Sequence, residues 1–346
     1  MNGPRVAYVM EQTLGSVTHY LNLRRQEGLC PGAPPCWLPI EFSPTTLPWA
    51  FWGSWRARRA VLRVLDDVDG LFIHTITIAL LTPDLFRKRP AVLSSDGTPL
   101  NKHQMREAYR LSSDTALVTA AKRAVYRTVF SRAAGFVAWS HWTKQSFVND
   151  YGCRAEDVAV IPPGIDLDDF APGDRGHELA RILFVGGDFK RKGGDLLLEV
   201  FRQRLRGRAE LVLVTSANLP QEPGVRLHRN IRANSPELRK LYATSDIFAL
   251  PTRADCYSLV CMEALAAGLP IVATKIGGIP DMVKEGVTGH LIEPDDSDTL
   301  GDALCHLAQS PATRARMGEA CRADAVERFE VRDNARRLFD FVSSRC

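Results

Sequence analysis

The sequence of 346 residues is long enough for two domains, and its 45% hydrophobic and 24% charged residues are typical of globular proteins. This composition excludes a disordered, collagen-like or coiled-coil chain. The apolar stretch 71–81 is too short to span a bilayer, and the N-terminus lacks the charged and apolar regions of a signal peptide, so we expect a cytoplasmic protein.

The formal net charge of +4 is unevenly distributed: residues 1–165 have an excess of Lys and Arg, and the rest has a slight excess of Asp and Glu. A mild basic excess favours an anionic ligand or membrane surface, whereas a nucleic-acid-binding protein usually has a denser basic stripe. None of the eight cysteines forms a CxxC pair or a zinc-like Cys/His spacing, and we expect them to be reduced.

Short apolar runs alternate with helical patterns along the whole chain. The runs predict strands at 5–10, 70–73, 91–94, 135–138, 158–161, 181–185, 210–215, 247–250 and 270–273. After the first strand comes a loop containing Gly15 and Ser16, and a helix is predicted from about Thr18. Strands that alternate with helices form parallel sheets covered on both faces, so the fold class is α/β.

Segment 48–63 interleaves aromatic and basic residues. The aromatic ones are Trp49, Phe51, Trp52 and Trp55, and the basic ones are Arg56, Arg58, Arg59 and Arg63. No acidic residue occurs in 43–64. Such a segment can seat a helix at an anionic membrane interface. It can equally form a wall of an acceptor-binding site or pack as half-buried core, and the sequence leaves these alternatives open.

A domain boundary follows residue 165. A turn with two prolines at 161–164 precedes a polar stretch, and a new strand begins at Arg181. We therefore predict an N-terminal domain at 1–165, a linker at 166–178, a C-terminal domain at 179–328 and a final helical segment at 329–346. Asp166 and Asp168 form a D-x-D pattern, which we interpret as non-ligating because it lies in the linker.

Glycines and basic residues follow the strand at 181–185. Gly186 and Gly187 come first, and Lys190, Arg191 and Lys192 precede a helix predicted from about residue 194. Flexible backbone and cations at the start of a helix are typical of a phosphate site. The alternative is a solvated basic loop.

The strongest signal lies at 250–294. A strand ends in a loop that carries Asp255, and a helix predicted from about Ser258 carries Glu263. This spacing lets both carboxylates face a ligand at the helix N-terminus, where free amides and the helix dipole favour a phosphate. The carboxylates suit ribose and sugar hydroxyls, because a direct contact with a diphosphate would be repulsive. The alternative is two acids with no shared role.

Segment 250–294 resembles the C-terminal signature of glycosyltransferase family 4, whose members are retaining enzymes of the GT-B fold. The family pattern, E-x7-E with a following EAMAxGxPVVAT and a glycine pair, reads here as Asp255, EALAAGLPIVAT from Glu263, and Gly277-Gly278. Asp255 stands where the family has Glu and is one methylene shorter.

The resemblance implies a role for each of these residues. Asp255 would hold the donor sugar and Glu263 the nucleotide ribose. The backbone that would bind the sugar and diphosphate belongs to Cys256, Tyr257, Ser258 and Leu259. The loop at 184–201 resembles the GR…KG loop of the family, whose Lys falls on Lys192 and whose Arg falls on Gly187. Arg191 is the candidate to supply the missing charge.

The N-terminal half resembles the family at LGSVTHYLNLRR, where a glycine loop faces donor phosphate and acceptor, so Gly15 and Ser16 are donor-binding candidates. No G-x-G-x-x-G occurs at this turn, which disfavours a dinucleotide oxidoreductase. Family members often place a His near position 96, where this chain has Asp96. Asp96 and His74 are candidates to line a cleft; a turn for Asp96 and a structural role for His74 are the alternatives.

Taken together, the resemblance implies two Rossmann-like domains facing across a cleft, with 329–346 packing back on the N-terminal domain. The implied reaction is retaining transfer of a hexosyl unit from a nucleoside-diphosphate sugar to an acceptor hydroxyl. Catalysis would rest on Asp255, Lys192, Arg191 and Glu263, without a metal or a cofactor.

The expected partners are a nucleotide sugar and a sugar, glycolipid or polysaccharide acceptor used in cell-surface synthesis, and not a nucleic acid. If 48–63 contacts lipid, the protein is peripheral at the inner face of the membrane. Two other functions fit the same pattern. One is nucleotide-sugar epimerisation, which needs no separate acceptor, and the other is non-catalytic binding of a nucleotide sugar.

Overall fold

The computed structural model describes residues 3–13, 15–42, 49–109 and 114–346. The chain divides into two compact units. The first consists of Met1–Arg106, Leu111–Gly164 and Val331–Cys346, and the second of Glu107–Arg110 and Ile165–Glu330. Each unit is a parallel sheet covered by helices, which is the Rossmann-like α/β arrangement that the alternating pattern predicts.

The strands of the first unit are β1 (Val6–Glu11), β2 (Cys36–Ile40), β3 (Gly70–His74), β4 (Ala91–Ser95), β5 (Gly135–Ala138) and β6 (Val158–Val160). Its helices up to this point are α1 (Gly15–Arg25), α2 (Trp49–Leu62), α3 (Pro99–Gln104), α4 (Ala116–Phe130) and α5 (His141–Asn149). The strand order is β2-β1-β3-β4-β5-β6, and all pairs are parallel.

The strands of the second unit are β7 (Ala180–Val185), β8 (Ala209–Val214), β9 (Val225–His228), β10 (Ile247–Leu250), β11 (Ile271–Thr274) and β12 (Gly289–Ile292). Its helices are α6 (Gly194–Val200), α7 (Pro236–Ala243), α8 (Leu259–Ala266), α9 (Ser297–Gln309) and α10 (Pro311–Phe329). The strand order is β12-β11-β10-β7-β8-β9, again with parallel pairs.

The last helix, α11 (Val331–Ser343), belongs to the first unit and completes one side of its core. Leu338, Phe339 and Val342 pack against Tyr8 and Phe72 of the central strands. The Phe339 ring meets the Tyr8 ring edge-on at 5.6 Å between centroids. The opposite face of the same sheet is covered by residues of α2, α4 and α5, so both faces are buried and the strands are continuously apolar.

The chain enters and leaves the second unit at neighbouring points. The Ile165 amide donates to the Phe329 carbonyl at 2.8 Å, and Ile165 forms a parallel bridge with Glu330. On the side of the first unit, a β-carbon added at Gly164 would come within 2.4 Å of the Val331 α-carbon. The two ends of the second unit therefore lie side by side.

All nine predicted strands are present, each within one residue of its predicted ends, but three strands were not predicted: β2, β9 and β12. The first helix was predicted to begin at about Thr18, but it begins at Gly15. Gly15 and Ser16 form the first turn of α1 and not a loop, and the Ser16 amide donates to the Thr13 carbonyl at 3.0 Å. All eight cysteines are free thiols in the structure.

None of the helices in the described part of the chain combines the length and the apolar character that a membrane crossing requires.

Candidate functional site

The topology of the second sheet indicates where a ligand would bind. From β7 the chain moves to β8 on one side and later returns to β10 on the other side, so the strand order reverses between β7 and β10. Ligands of open parallel sheets bind at the carboxyl ends of the strands beside such a reversal. The loops that follow these two strands carry the basic residues at 190–192 and Asp255.

Lys192 and Asp255 form an ion pair at this reversal. The Lys192 Nζ lies 2.5 Å from the Asp255 Oδ2, and both side chains are largely buried. The two residues are 63 positions apart in the sequence, and the return of the chain to β10 brings them together. The pair places a cation and a carboxylate at one point of the sheet edge, where they can bind a phosphate and a hydroxyl respectively.

The loop that carries Lys192 is held against the end of β10 by a glycine. Gly193 has a φ of +74°, and a β-carbon there would come within 1.8 Å of the Pro251 carbonyl oxygen. Only glycine fits this combination of left-handed backbone and close approach. The backbone also connects the loops, because the Arg253 amide donates to the Arg191 carbonyl at 2.8 Å.

Arg191 is close to the pair but is engaged by protein groups. Its Nη1 donates to the Ala254 carbonyl at 2.8 Å, and its Nε lies 3.5 Å from a carboxylate oxygen of Asp188. The guanidinium also lies 5.2 Å from the centre of the Tyr109 ring. The position of Gly187, by contrast, is exposed, and a β-carbon there would meet nothing within 4 Å.

A second glycine supports Asp255 from the other side. Gly277, which follows β11, has a φ of +58°, and a β-carbon there would come within 1.9 Å of the Asp255 carbonyl oxygen. The next amide, of Gly278, donates to the Cys256 carbonyl at 2.9 Å. The segment around Asp255 is therefore fixed between the loop after β7 and the loop after β11.

Helix α8 begins directly after this segment. Ser258 is its N-cap residue, and the first turn contains no acidic side chain. The side chains of Cys256, Tyr257 and Ser258 are buried, so these residues can offer a ligand chiefly their backbone. Burial raises the pKa of the Tyr257 hydroxyl far above its ordinary range, which keeps it neutral.

Glu263 is a carboxyl group inside an apolar helix. It is only 6% exposed, and every other residue from Cys261 to Ala266 is buried and uncharged. Burial raises its pKa to about 7, against the opposing effects of a hydrogen bond from Tyr242 and the charge of Arg239. Its Oε2 has no hydrogen-bond partner among the described residues. A buried carboxyl oxygen without a partner is costly, and a ligand hydroxyl would satisfy it.

The candidates from the N-terminal half lie in the first unit. His74 ends β3 and is fully buried: its ring stacks on Trp139 at 5.0 Å, and its Nδ1 lies 3.2 Å from the Ser94 Oγ. Burial lowers the pKa of His74 to about 3, with a further contribution from the charge of Lys102, so the ring is neutral at physiological pH. The structure places His74 in the interior of the unit.

Asp96 lies in the turn after β4. The Lys102 Nζ is 3.6 Å from its carboxylate, and its carbonyl accepts a hydrogen bond from the Thr143 hydroxyl at 2.7 Å. These contacts give Asp96 a local structural role. In the predicted linker, the Asp166 carboxylate accepts a hydrogen bond from the Asp168 amide at 3.2 Å. No group of three or more His, Cys, Asp or Glu side chains within the described ranges is arranged to hold a metal ion.

Glu11 is a candidate site residue that the sequence reasoning did not single out. It is the last residue of β1, and its carboxylate accepts hydrogen bonds from the hydroxyls of Thr13 and Thr75. The strand order of the first sheet reverses between β1 and β3, so Glu11 and Thr75 lie at the position that corresponds to Lys192 and Asp255 in the second sheet. The available signal was an acid that ends the fully apolar run VAYVM.

Comparisons with known protein families agree with this topology. The family model described as "Glycosyltransferase Family 4" matches residues 23–169, and the model described as "Glycosyl transferases group 1" matches residues 180–310. Together they cover most of both units.

The alignments with curated relatives cover only a part of each relative's length. A D-inositol 3-phosphate glycosyltransferase of Corynebacterium aurimucosum is 30% identical over an alignment of 256 positions that covers 65% of this chain and 60% of that protein. A GDP-mannose-dependent alpha-(1-6)-phosphatidylinositol monomannoside mannosyltransferase of Mycolicibacterium smegmatis is 30% identical over an alignment of 234 positions that covers 60% of this chain and 61% of that protein. The matched region thus spans about three fifths of each relative.

Solved structures share the whole fold at lower identity. The Anabaena Alr3699/HepE protein in complex with UDP and glucose superposes with a TM-score of 0.74 at 18% identity, covering 99% of this chain and 100% of that one. Sucrose-phosphate synthase from Thermosynechococcus elongatus gives a TM-score of 0.75 at 17% identity, covering 96% and 97%. With both family models matched and this fold shared, the chain belongs to the group 1/family 4 type of GT-B glycosyltransferases.

Proposed function

We propose that this chain transfers a hexosyl unit from a nucleoside-diphosphate sugar to an acceptor hydroxyl, with retention of configuration at the anomeric carbon. The observation that carries the proposal is the pair of Lys192 and Asp255 at the strand reversal of the second sheet. The two side chains are 2.5 Å apart, and Asp255 lies shortly before the start of helix α8. The pair supplies one group for a phosphate and one for a sugar hydroxyl.

In the proposed complex, the diphosphate of the donor takes the place of Asp255 as the partner of Lys192. The Lys192 ammonium and the amides at the start of α8 stabilise the charge that develops on the departing diphosphate, and Arg191 adds its charge if it leaves Asp188. Asp255 is then available to accept hydrogen bonds from the donor sugar, and the two glycine contacts described above keep its backbone in place.

Glu263 is proposed to bind the ribose. A ribose hydroxyl that donates to the unpartnered Oε2 would remove an unsatisfied buried acceptor. Because the ionised carboxylate accepts more strongly than the neutral acid, binding of the ribose favours deprotonation of a group whose pKa burial has raised to about 7.

The proposed chemical step takes place on one face of the sugar. The bond from the anomeric carbon to the diphosphate oxygen breaks, the bond to the acceptor oxygen forms on the same face, and the acceptor proton passes to the leaving phosphate. This step requires neither a protein nucleophile nor a raised-pKa acid, in contrast to glycosidases with two carboxylates. We propose that it needs no metal and no cofactor.

The acceptor is proposed to be a hydroxyl of a sugar, glycolipid or polysaccharide of the cell surface. The names of the two curated relatives, which refer to D-inositol 3-phosphate and to a phosphatidylinositol mannoside, support a polyol or glycolipid of this kind. In the first unit, Glu11 is the group that we propose to accept a hydrogen bond from the acceptor, since Thr13 and Thr75 fix its carboxylate at the strand reversal.

A thermal-shift screen against UDP-, GDP-, ADP- and TDP-sugars, with and without EDTA, tests donor binding first. A stabilisation by one donor that is insensitive to EDTA and absent in Glu263→Ala supports the site. Products are then analysed with that donor and with D-inositol 3-phosphate and phosphatidylinositol as acceptor probes. Transfer with retained configuration supports the proposal, and an inverted product overturns it.

The screen also separates the two other functions. A new nucleotide sugar formed without any acceptor would indicate epimerisation. Donor binding without turnover on any acceptor would indicate a non-catalytic binding protein. Release of free sugar at the rate of full turnover, with no transfer, would count against the transferase assignment.

A further inference from the structure

Helix α2 exposes a continuous stripe of aromatic and basic side chains, which we call the aromatic–basic face. It consists of Phe51, Trp52, Trp55, Arg59 and Leu62 of the helix, together with Arg63 in the turn directly after it. The exposed fractions of the apolar members are 47% for Phe51, 43% for Trp52, 36% for Trp55 and 48% for Leu62. At 3.6 residues per turn, the five helical positions fall within about 100° of the helix circumference. Pro48, the first residue of the segment considered above, lies outside the described residues.

The opposite side of α2 anchors the helix to the first unit without these aromatic residues. Gly53, Ser54, Ala57 and Val61 are buried, and the Ser54 hydroxyl accepts a hydrogen bond from the Leu81 amide at 2.7 Å. A β-carbon at Gly53 would come within 2.9 Å of the Phe42 ring. The small residues thus hold α2 tightly, and core packing does not explain Phe51, Trp52 and Trp55.

The exposed aromatic rings contact one another. Trp52 lies 5.7 Å from Phe51 and 5.9 Å from Trp55, and the Arg59 guanidinium lies 4.8 Å from the Trp55 ring centre. Isolated exposed apolar side chains are ordinary, but a contiguous aromatic patch indicates an interaction surface. The patch runs along a convex helix. Small-molecule sites are concave, so this surface is a poor wall for a sugar acceptor.

The positive charge of the aromatic–basic face favours an anionic partner. No acid occurs in 43–64, and the first acids after the helix are Asp66 and Asp67, beyond its C-terminal end. Asp84 pairs with Arg58, which is not part of the face. Tryptophan rings favour the headgroup region of a bilayer, and arginines beside them are attracted to anionic lipids.

We propose that the aromatic–basic face binds the surface of a bilayer that contains anionic lipids, with α2 lying parallel to the membrane plane and its rings among the headgroups. This places the first unit on the membrane as a peripheral protein. The proposal does not depend on the transfer reaction, because lipid binding can be measured without donor or acceptor.

The test is flotation of the full chain with vesicles of phosphatidylcholine alone and of phosphatidylcholine with phosphatidylglycerol. We expect binding only to the anionic vesicles, weakened by high salt. Arg59→Glu/Arg63→Glu should weaken binding by roughly thirtyfold or more, at about 1 kcal/mol for each basic residue lost. Trp52→Ser/Trp55→Ser should also abolish measurable binding, because charge alone does not insert the helix.

Matched controls lie on the second unit. Lys240→Glu/Arg316→Glu changes the net charge equally at two exposed positions, and Val287→Ser/Val326→Ser removes two exposed apolar side chains. Both controls should bind vesicles like the wild type. Circular dichroism of each variant confirms that it is folded.

Three outcomes would overturn the proposal. The wild type could fail to bind anionic vesicles at low salt. The control pair Lys240→Glu/Arg316→Glu could lose as much binding as the pair on α2, which would indicate a general charge effect. Finally, size-exclusion chromatography could show a dimer that Trp52→Ser/Trp55→Ser dissociates, with no vesicle binding by either form. The face would then be covered by a second copy of the chain.

Discussion

Gly277 lies so close to Asp255 that a β-carbon on the glycine would come within 1.9 Å of the Asp255 carbonyl oxygen. The contact joins the loop after β11 to the segment that carries the proposed sugar-binding carboxylate. Gly277 has no side chain that could contact a ligand, but its backbone fixes the position of Asp255.

Gly277→Ala should therefore damage the site. The left-handed φ of +58° and the overlap with the Asp255 carbonyl together should cost about 2 kcal/mol or more of folding free energy. We expect a lower melting temperature and loss of the donor-induced thermal shift. Gly187→Ala is the control, because a β-carbon at that position meets nothing within 4 Å. Full donor binding by Gly277→Ala would contradict the role given to this contact.

Lys192→Ala should lower kcat by roughly 100-fold, the loss typical of removing one group that stabilises developing charge. Lys190→Ala, an exposed lysine of the same loop, should change kcat by severalfold at most. Steady-state kinetics with the donor found in the screen measures both, and circular dichroism checks that Lys192→Ala is folded. Equal effects of the two substitutions would mean that the loop acts only through its overall charge.

The raised pKa of Glu263 makes the stability of the fold depend on pH. Its pKa is about 7 in the folded protein against an ordinary value of 4.5, so the folded state holds more protons than the unfolded state between these values. The free energy of unfolding should then fall by about 3 kcal/mol as the pH rises from 4.5 to 7, and level off above pH 7.

Urea unfolding at several pH values measures this effect, with Glu263→Gln as the comparison. The difference in unfolding free energy between the wild type and Glu263→Gln should change across that range and be constant above it. A difference that does not vary with pH would place the Glu263 carboxyl in contact with water. The substitution should also weaken donor binding at pH 8, where the wild-type carboxylate is ionised.

Gly187→Arg should strengthen donor binding. The position is exposed and has room for a side chain, and it is where the resemblance places the arginine of the family. A charge-assisted hydrogen bond to a diphosphate contributes about 1.5 kcal/mol, which corresponds to roughly tenfold in affinity. Calorimetry with the nucleoside diphosphate measures the change. No gain in Gly187→Arg together with a loss in Arg191→Ala would indicate that Arg191 already supplies this charge.

Glu11→Gln should raise the KM for the acceptor by about tenfold, since an amide accepts hydrogen bonds less strongly than a carboxylate. The donor-induced thermal shift should be unchanged. Glu41→Gln, at an exposed carboxylate after β2, is the control. A loss of donor binding in Glu11→Gln would show that Glu11 does not act on the acceptor.

The fold class followed from the sequence because central parallel strands are buried on both faces and read as continuous apolar runs. The three strands that the sequence did not reveal all lie at sheet edges: β2, β9 and β12. Edge strands are partly exposed, and β2 also contains Pro39, which cannot donate to a sheet ladder. Their mixed pattern resembles that of loops.

The candidate site could be predicted where a motif marked the end of a strand, as at Lys192 and Asp255. The direct contact between these two residues could not be predicted, because it depends on which strands are neighbours in the sheet and not on the local sequence. Glu11 was missed for a related reason. A single acid at the end of a strand forms no sequence pattern, and Thr75, whose hydroxyl donates to it, directly follows another strand, β3. The first turn of α1 was placed in a loop because Gly15 and Ser16 favour turns.

The chain enters and leaves the second unit at neighbouring points, so residues 165–330 are an insertion in the sequence of the first unit. During synthesis, the whole of 165–330 emerges from the ribosome before α11 exists, so Leu338, Phe339 and Val342 cannot yet cover Tyr8 and Phe72. The nascent first unit therefore leaves one side of its sheet incompletely covered. The second unit, whose own ends meet at Ile165 and Glu330, can already close. Truncations before α11 would leave a folded second unit attached to an incomplete, aggregation-prone first one.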